Sequence, residues 1–200
     1  HICTGDTQMN PNEIRPLSIE ELKAIDTVLV IDHSGSMGSP SIVFRGKTRM
    51  QEVQEAAETI ARAAEAVDSD GITVIPFSSK AAMVDNVTSS KVAQVFQEYQ
   101  PSGSTALDRA LALAVEKARK SSKRVGVVVY TDGEPNDHSE VIRVLEDAGK
   151  LGRSKIGFTF VQVGQDAQAT RFLQALDDDL DTDIVDVVPA ERANDLSLAE

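Results

Sequence analysis

The chain reads as an α/β protein, a three-layer, doubly wound fold in which a mostly parallel six-stranded sheet with one antiparallel edge strand carries helices on both faces. Three observations predict it. Apolar runs of strand length recur at residues 27–31, 72–77, 125–130 and 156–163, continuous enough for strands buried on both faces. Between them lie segments whose apolar residues repeat at steps of three and four, the period of an amphipathic helix. The segments 72–77 and 82–87 are close enough in sequence for a hairpin, which sets one antiparallel strand at an edge.

In chain order, residues 1–16 are polar and aperiodic, an extended or poorly ordered lead-in. Ser18 and Glu21 have capping-box spacing and predict one short helical turn, so 1–24 is an N-terminal extension and 25–200 the folded domain. The first strand ends at Asp32. A loop over 38–47 leads to Thr48, which can cap a helix whose apolar face is Met50, Val53, Ala57, Ile60, Ala64 and Val67. In strand 72–77, Pro76 lacks an amide proton and belongs at a strand end or bulge. Val92, Val95, Phe96 and Tyr99 give a short helix, and Leu107, Leu111, Ala114 and Ala118 a longer one that starts at the Thr105 loop. Strand 125–130 precedes a helix on Val141, Leu145 and Ala148, for which Gly149 and Gly152 suit the C-terminal cap. Strand 156–163, helix 167–176, strand 184–188 and a final helix over 190–198 complete the alternation.

Two hundred residues with 41% apolar content suit one domain with a sizeable core. Thirty-two acids against twenty bases give a net charge of −12, which repels phosphate backbones and anionic membranes and excludes nucleic acid as the expected ligand. No apolar stretch approaches the roughly twenty residues of a membrane span. Cys3 is the single cysteine, so no internal disulfide forms and the cytoplasm is the default compartment. Nothing in the sequence demands an oligomer, and a monomer is expected.

Chemistry concentrates where the first strand ends. In Asp32-His33-Ser34-Gly35-Ser36 a carboxylate and two hydroxyls leave the strand at alternate positions, and three oxygen donors at one strand end form a cradle for a hard cation. An octahedral Mg²⁺ site wants further oxygens, which later loops must supply. Two candidates stand out: Thr105, in Pro101-Ser102-Gly103-Ser104-Thr105 before a helical run, and Asp132, which ends the other strongly buried strand. In an open α/β sheet, ligands bind outside the carboxyl ends of the strands, where the strand order switches.

The order Asp-x-Ser-x-Ser, then Thr, then Asp resembles the metal-ion-dependent adhesion site of the von Willebrand factor A domain family, also known as the integrin inserted-domain fold. All five positions match, and the resemblance extends over about residues 25–200. It implies that the first and fourth strands are neighbours. It further implies Asp32, Ser34, Ser36, Thr105 and Asp132 as metal residues, with Ser34, Ser36 and Thr105 ligating directly and the two aspartates acting through water. The expected ion is Mg²⁺, with Mn²⁺ or Ca²⁺ as substitutes. One coordination position would stay open for an Asp or Glu of a protein partner. Thr105 would lie on a mobile loop coupled to the last helix as a two-state affinity switch. The lack of disulfides and the compact size are similar to intracellular, often bacterial, members that serve as assembly factors or ATPase partners. No catalytic residues are expected.

Competing patterns are weaker. Gly46-Lys47-Thr48 resembles the end of a phosphate-binding loop, but Ser41 stands where that motif needs glycine and no strand directly precedes it. A haloacid-dehalogenase-type phosphatase wants a general acid where this chain has Ser34. A hydrolase using an activated water would have His33 and His138 as its base candidates, both expected on solvated loops beside the metal face. No histidine cluster has zinc spacing. Asp179, Asp181 and Asp183 echo the start of a calcium loop without its glycine or distal glutamate, so a second cation site there is the minor alternative to a solvated acidic loop. Met37, Val43 and Phe44 flank the metal face, either as an exposed apolar rim or folded away.

Overall fold

The computed structural model describes residues 23–180 and 183–188. The short turn expected at residues 18–21, the final helix expected over 190–198 and Asp181 lie outside the described residues, as does the side chain of Asp179. At the centre of the sheet, β1 (Ile25–Asp32) pairs in parallel with β2 (Ile72–Phe77) on one side and with β4 (Arg124–Thr131) on the other. The parallel strands β5 (Ile156–Gln162) and β6 (Val185–Val188) extend the β4 side, and β3 (Val84–Val87) closes the β2 edge antiparallel. The resulting order β3-β2-β1-β4-β5-β6 matches the expected architecture. Chain direction away from β1 reverses between β2 and β4, so the crevice outside the carboxyl ends of β1 and β4 is the switch point.

Among the described residues five α-helices connect the strands: α1 (Arg49–Glu65), α2 (Ser89–Glu98), α3 (Leu107–Lys120), α4 (His138–Gly149) and α5 (Ala167–Asp179). Alternation along β1 divides them between two faces. Val28 and Val30 pack with Leu107, Leu111, Leu145 and Phe172 under α3, α4 and α5, whereas Leu29 and Ile31 pack with Val53, Ala57 and Phe96 under α1 and α2. Asp32 continues the Val28–Val30 side, as Thr131 continues that of Val127 and Val129 on β4. This places a carboxylate and a hydroxyl at the end of an otherwise apolar layer.

Local signals explain the boundaries. Thr48 caps α1 in a capping box: its side chain accepts from the Gln51 amide while the Gln51 side chain accepts from the Thr48 amide. Pro76 opposes Ile31 near the end of β2, past the last pairing with β3 at Val74–Val84, so its missing donor leaves no gap in that ladder. α4 ends with Gly149 as its last helical residue rather than as a cap beyond it, and the positive-φ turn of the expected pair falls at Gly152, φ +81°. A 3-10 turn at Gly35–Gly38, not expected from the sequence, folds the segment after β1 back over the sheet.

Candidate metal centre

Four of the five expected metal residues form one connected group. The register of β1 with β4 sets Ile31 against Tyr130, which brings Asp32 level with Thr131. Asp32 is fully buried, its carboxylate accepting from the Ser34 amide at 2.7 Å and from the Thr131 hydroxyl at 2.8 Å. The 3-10 turn points the next hydroxyls the same way. Ser34 Oγ lies 3.1 Å from Ser36 Oγ, and Ser36 Oγ donates to Asp132 Oδ1 at 2.7 Å. Asp132 is buried, whereas Ser36 is open to solvent, so the group has a floor and a mouth.

Thr105 approaches from the other side. Its Oγ1 faces Gly133, where an added Cβ would lie 3.9 Å away, and no hydrogen bond to that hydroxyl forms among the described residues. The loop that carries it is tied down: the Thr105 amide donates to Asn136 Oδ1, the Asn136 amide to the Thr105 carbonyl, and the Gly35 amide to the Gly103 carbonyl. Gly103 adopts φ +75°, and a Cβ there would collide with Ser79 Oγ at 2.5 Å. A glycine at that point thus lets three loops converge.

Burial governs the electrostatics. It pushes the Asp32 carboxyl up to about 6, against the hydrogen bonds from Ser34 and Thr131 that favour its charged form, and nearby Asp132 adds to the rise. Asp132 Oδ2 accepts from Arg49 Nη1 at 2.7 Å, and this guanidinium is the cation that the sequence reading missed. A signal for it existed: an arginine at the first position of a helix opposes the helix dipole and needs a separate reason to be there. Thr131 was legible too, as a polar residue in register with the buried valines of β4.

The two histidines part company. His33 is not solvated; it is 2% exposed, packed against Phe96 and Tyr99 with ring centroids 5.5 and 6.0 Å away, and neither ring nitrogen has a hydrogen-bond partner among the described residues. Its neighbours in space are apolar because the loop after β1 turns under α2. Burial pulls its imidazole down to about 4, with the Tyr99 backbone acting weakly in the other direction. His138 is solvent-exposed as expected, though it opens α4 rather than lying on a loop; it contacts Glu134 at 2.8 Å and packs at a tilt against Phe172, ring centroids 4.3 Å apart. The apolar rim splits: Met37 is buried and Phe44 exposed.

The donors suit a hard ion. Neighbouring ligands of an octahedron with bonds of about 2.1 Å stand about 3 Å apart, the spacing of Ser34 Oγ and Ser36 Oγ at 3.1 Å, while Asp132 Oδ1 holds Ser36 Oγ at 2.7 Å. Among the described residues no group of three or more His, Cys, Asp or Glu is placed to hold a metal ion, and the oxygens gathered here are hydroxyls and two carboxylates, donors of the hard class. Asp183 of the expected calcium-like stretch pairs with Arg153.

The von Willebrand factor type A domain matches residues 27–134, from β1 through the turn after Asp132 and more than half of the chain. The chain belongs to this family. Members of the family are common protein-interaction modules, some with metal sites. Among curated proteins, an uncharacterized protein of Synechocystis sp., sll0103, is 28% identical over 183 residues, which is 88% of this chain and 38% of that protein. The chain thus spans well under half the length of this relative. Among solved structures, the SpRpn10 VWA domain matches with a TM-score of 0.61 at 13% identity, covering 85% of this chain and 94% of that one. The manganese-loaded TRAP protein of Plasmodium vivax matches with a TM-score of 0.61 at 18% identity over 88% and 72% of the two chains. A von Willebrand factor type A protein from Catenulispora acidiphila gives 0.60 at 20% identity over 86% and 41%. At these identities the likeness establishes the VWA fold.

Proposed function

We propose that this VWA domain is a metal-dependent protein-recognition module, in which Ser34, Ser36 and Thr105 ligate a divalent cation, Mg²⁺ by preference, and Asp32 and Asp132 hold it through water. The observation that carries the proposal is the convergence of Asp32, Ser34, Ser36 and Asp132 at hydrogen-bond spacing, with Thr105 over the same crevice. The manganese in a TRAP protein of like fold agrees with it. A bound ion would supply a Lewis-acidic position for an anionic ligand, most simply an Asp or Glu side chain of a partner.

The chain's own groups favour binding over turnover. Hydroxyl donors leave cationic charge uncancelled, which attracts a carboxylate to a protein that is otherwise acidic. A hydrolase would need a base facing the crevice; His33 is shut between two aromatic rings and His138 is engaged with Glu134 and Phe172. Among the described residues no helix is long and apolar enough to cross a membrane.

Isothermal titration of Mg²⁺ and Mn²⁺ into chelated protein tests the site, with Ser34→Ala and Asp132→Ala alongside. Saturable binding to wild type that is lost in both variants is the expected result. Binding that survives both substitutions would place the ion elsewhere. Capture of peptides carrying Asp or Glu, with and without chelator, then tests the ligand class, and retention in chelator would overturn it.

A further inference from the structure

Arg49 has no task in the function proposed above, yet it is the cation nearest the site. It stands at the first position of α1, and its guanidinium turns inward until the side chain is only 19% exposed. Gly164 makes the room: a Cβ there would fall 2.9 Å from Cζ and Nε of Arg49. Nη1 reaches Asp132 Oδ2, but Nε is buried with no acceptor among the described residues. A guanidinium free to move outward would hydrate that donor, so the Asp132 charge is what keeps it in place.

We propose that Arg49 is a tethered counter-cation of the metal centre, which holds Asp132 Oδ2 and competes with the divalent ion for that carboxylate. The inference rests on the metal-site reading and adds its regulation. One of the two negative charges of the site is already neutralised when the ion arrives, so ion binding must work against the arginine or displace it. Once an ion is held, the same arginine leaves the site with surplus positive charge, which favours an anionic ligand over water. Ion and carboxylate uptake are thereby coupled: each strengthens the other.

A plain positioning role predicts the opposite sign. If Arg49 only oriented Asp132, its loss would weaken metal binding, as loss of an outer-shell partner does by about 10–100-fold. The test is titration of Mn²⁺ into chelated wild type, Arg49→Gln and Arg49→Lys. Glutamine removes the charge yet can still donate to Asp132, and lysine keeps the charge. The expected result is roughly tenfold tighter Mn²⁺ binding by R49Q, wild-type-like binding by R49K, and a larger Mn²⁺-induced rise in melting temperature for R49Q. Equal or weaker binding by a folded R49Q overturns the inference while leaving the metal site intact. Should R49Q fail to fold in chelator, recovery of its wild-type circular dichroism on adding Mn²⁺ supports the proposal, and failure to recover overturns it. No Mn²⁺ uptake by wild type or R49Q sinks the metal-site reading and this inference together; uptake by R49Q alone supports the inference most strongly.

Discussion

The two ends of β1 and β4 carry polar clusters of opposite character. At the amino end, Lys123 bridges Asp68 at 2.7 Å and Asp26 at 3.6 Å, and Ser121 donates to Asp26. These groups are partly exposed and every charge has a partner. At the carboxyl end, Asp32 and Asp132 are buried side by side. All three buried side-chain polar atoms without a partner among the described residues, two on His33 and one on Arg49, lie at this end. A buried donor or acceptor left unpaired costs about 1–3 kcal/mol, so the fold keeps its polar frustration at one end. Unpaired polar atoms gathered at the switch point of an α/β sheet agree with the binding site proposed above.

Breaking Asp132 should have the largest effect. Asp132→Ala removes a proposed metal ligand and leaves the Arg49 guanidinium without its acceptor. In chelator the loss of stability should be about 2–3 kcal/mol, somewhat below the 3–5 of a fully buried pair because Arg49 keeps a route to solvent. Urea unfolding with and without Mn²⁺ measures it, and the variant should gain nothing from the ion. Stability unchanged in chelator would show that the ion pair carries no weight.

Asp32 should behave in the reverse sense. Its carboxyl is held at about 6 in the folded protein against an ordinary value of 3.8, so between those pH values the native state binds more protons than the unfolded chain. The contribution of Asp32 therefore destabilises the ion-free protein progressively as pH rises from about 4 to about 6, and is fully unfavourable at pH 7. Asp32→Asn should raise ion-free stability at pH 7 by about 1–3 kcal/mol and flatten that part of the pH profile, while abolishing Mn²⁺ binding. In wild type, Mn²⁺ affinity should fall as pH drops through about 6. An ion-free D32N protein less stable than wild type would contradict the burial argument. Opposite signs for D32N and D132A in chelator, with the same loss of metal, would separate a frustrated ligand from a paired one.

His33→Leu should give a smaller gain. It replaces two orphaned nitrogens with a side chain of similar volume between Phe96 and Tyr99, worth about 1 kcal/mol, read as an upward shift in the urea midpoint with Mn²⁺ affinity retained. A loss of Mn²⁺ affinity would mean that the imidazole supports the site after all.

How much of this was visible in the sequence follows the range over which each signal acts. The six strands, the mostly parallel sheet and the Thr48 cap were legible because alternation, helical period and capping are local, whereas the pairing of β1 with β4 was implied only by the family resemblance. The five candidate metal residues were legible because their types and order follow the ends of buried strands and the start of a helix. The neighbours that decide their energetics were not. Arg49 meets Asp132 across 83 residues of chain, and His33 is buried because α2, more than fifty residues later, closes over it. A histidine between an aspartate and a serine after a strand reads as a loop residue; only the packing of Phe96 and Tyr99 makes it core.

The amino-end cluster should show the smallest effect, and it serves as the control for the others. Lys123 and Asp68 perturb one another: their bond raises the lysine and lowers the carboxyl. Such shifts on paper suggest a stabilising pair, but the Lys123 and Asp68 side chains are 36% and 40% exposed, and water and salt screen most of the attraction. Lys123→Met keeps an unbranched side chain of similar length and removes the charge. Its melting temperature should therefore move by no more than about 2–4 °C, the shift should shrink further at about 1 M salt, where screening acts within about 3 Å, and Mn²⁺ affinity should match wild type. A loss as large as that of D132A would mean that the exposed end carries the stability assigned here to the core, and the contrast between a satisfied and a frustrated end of the sheet would no longer hold.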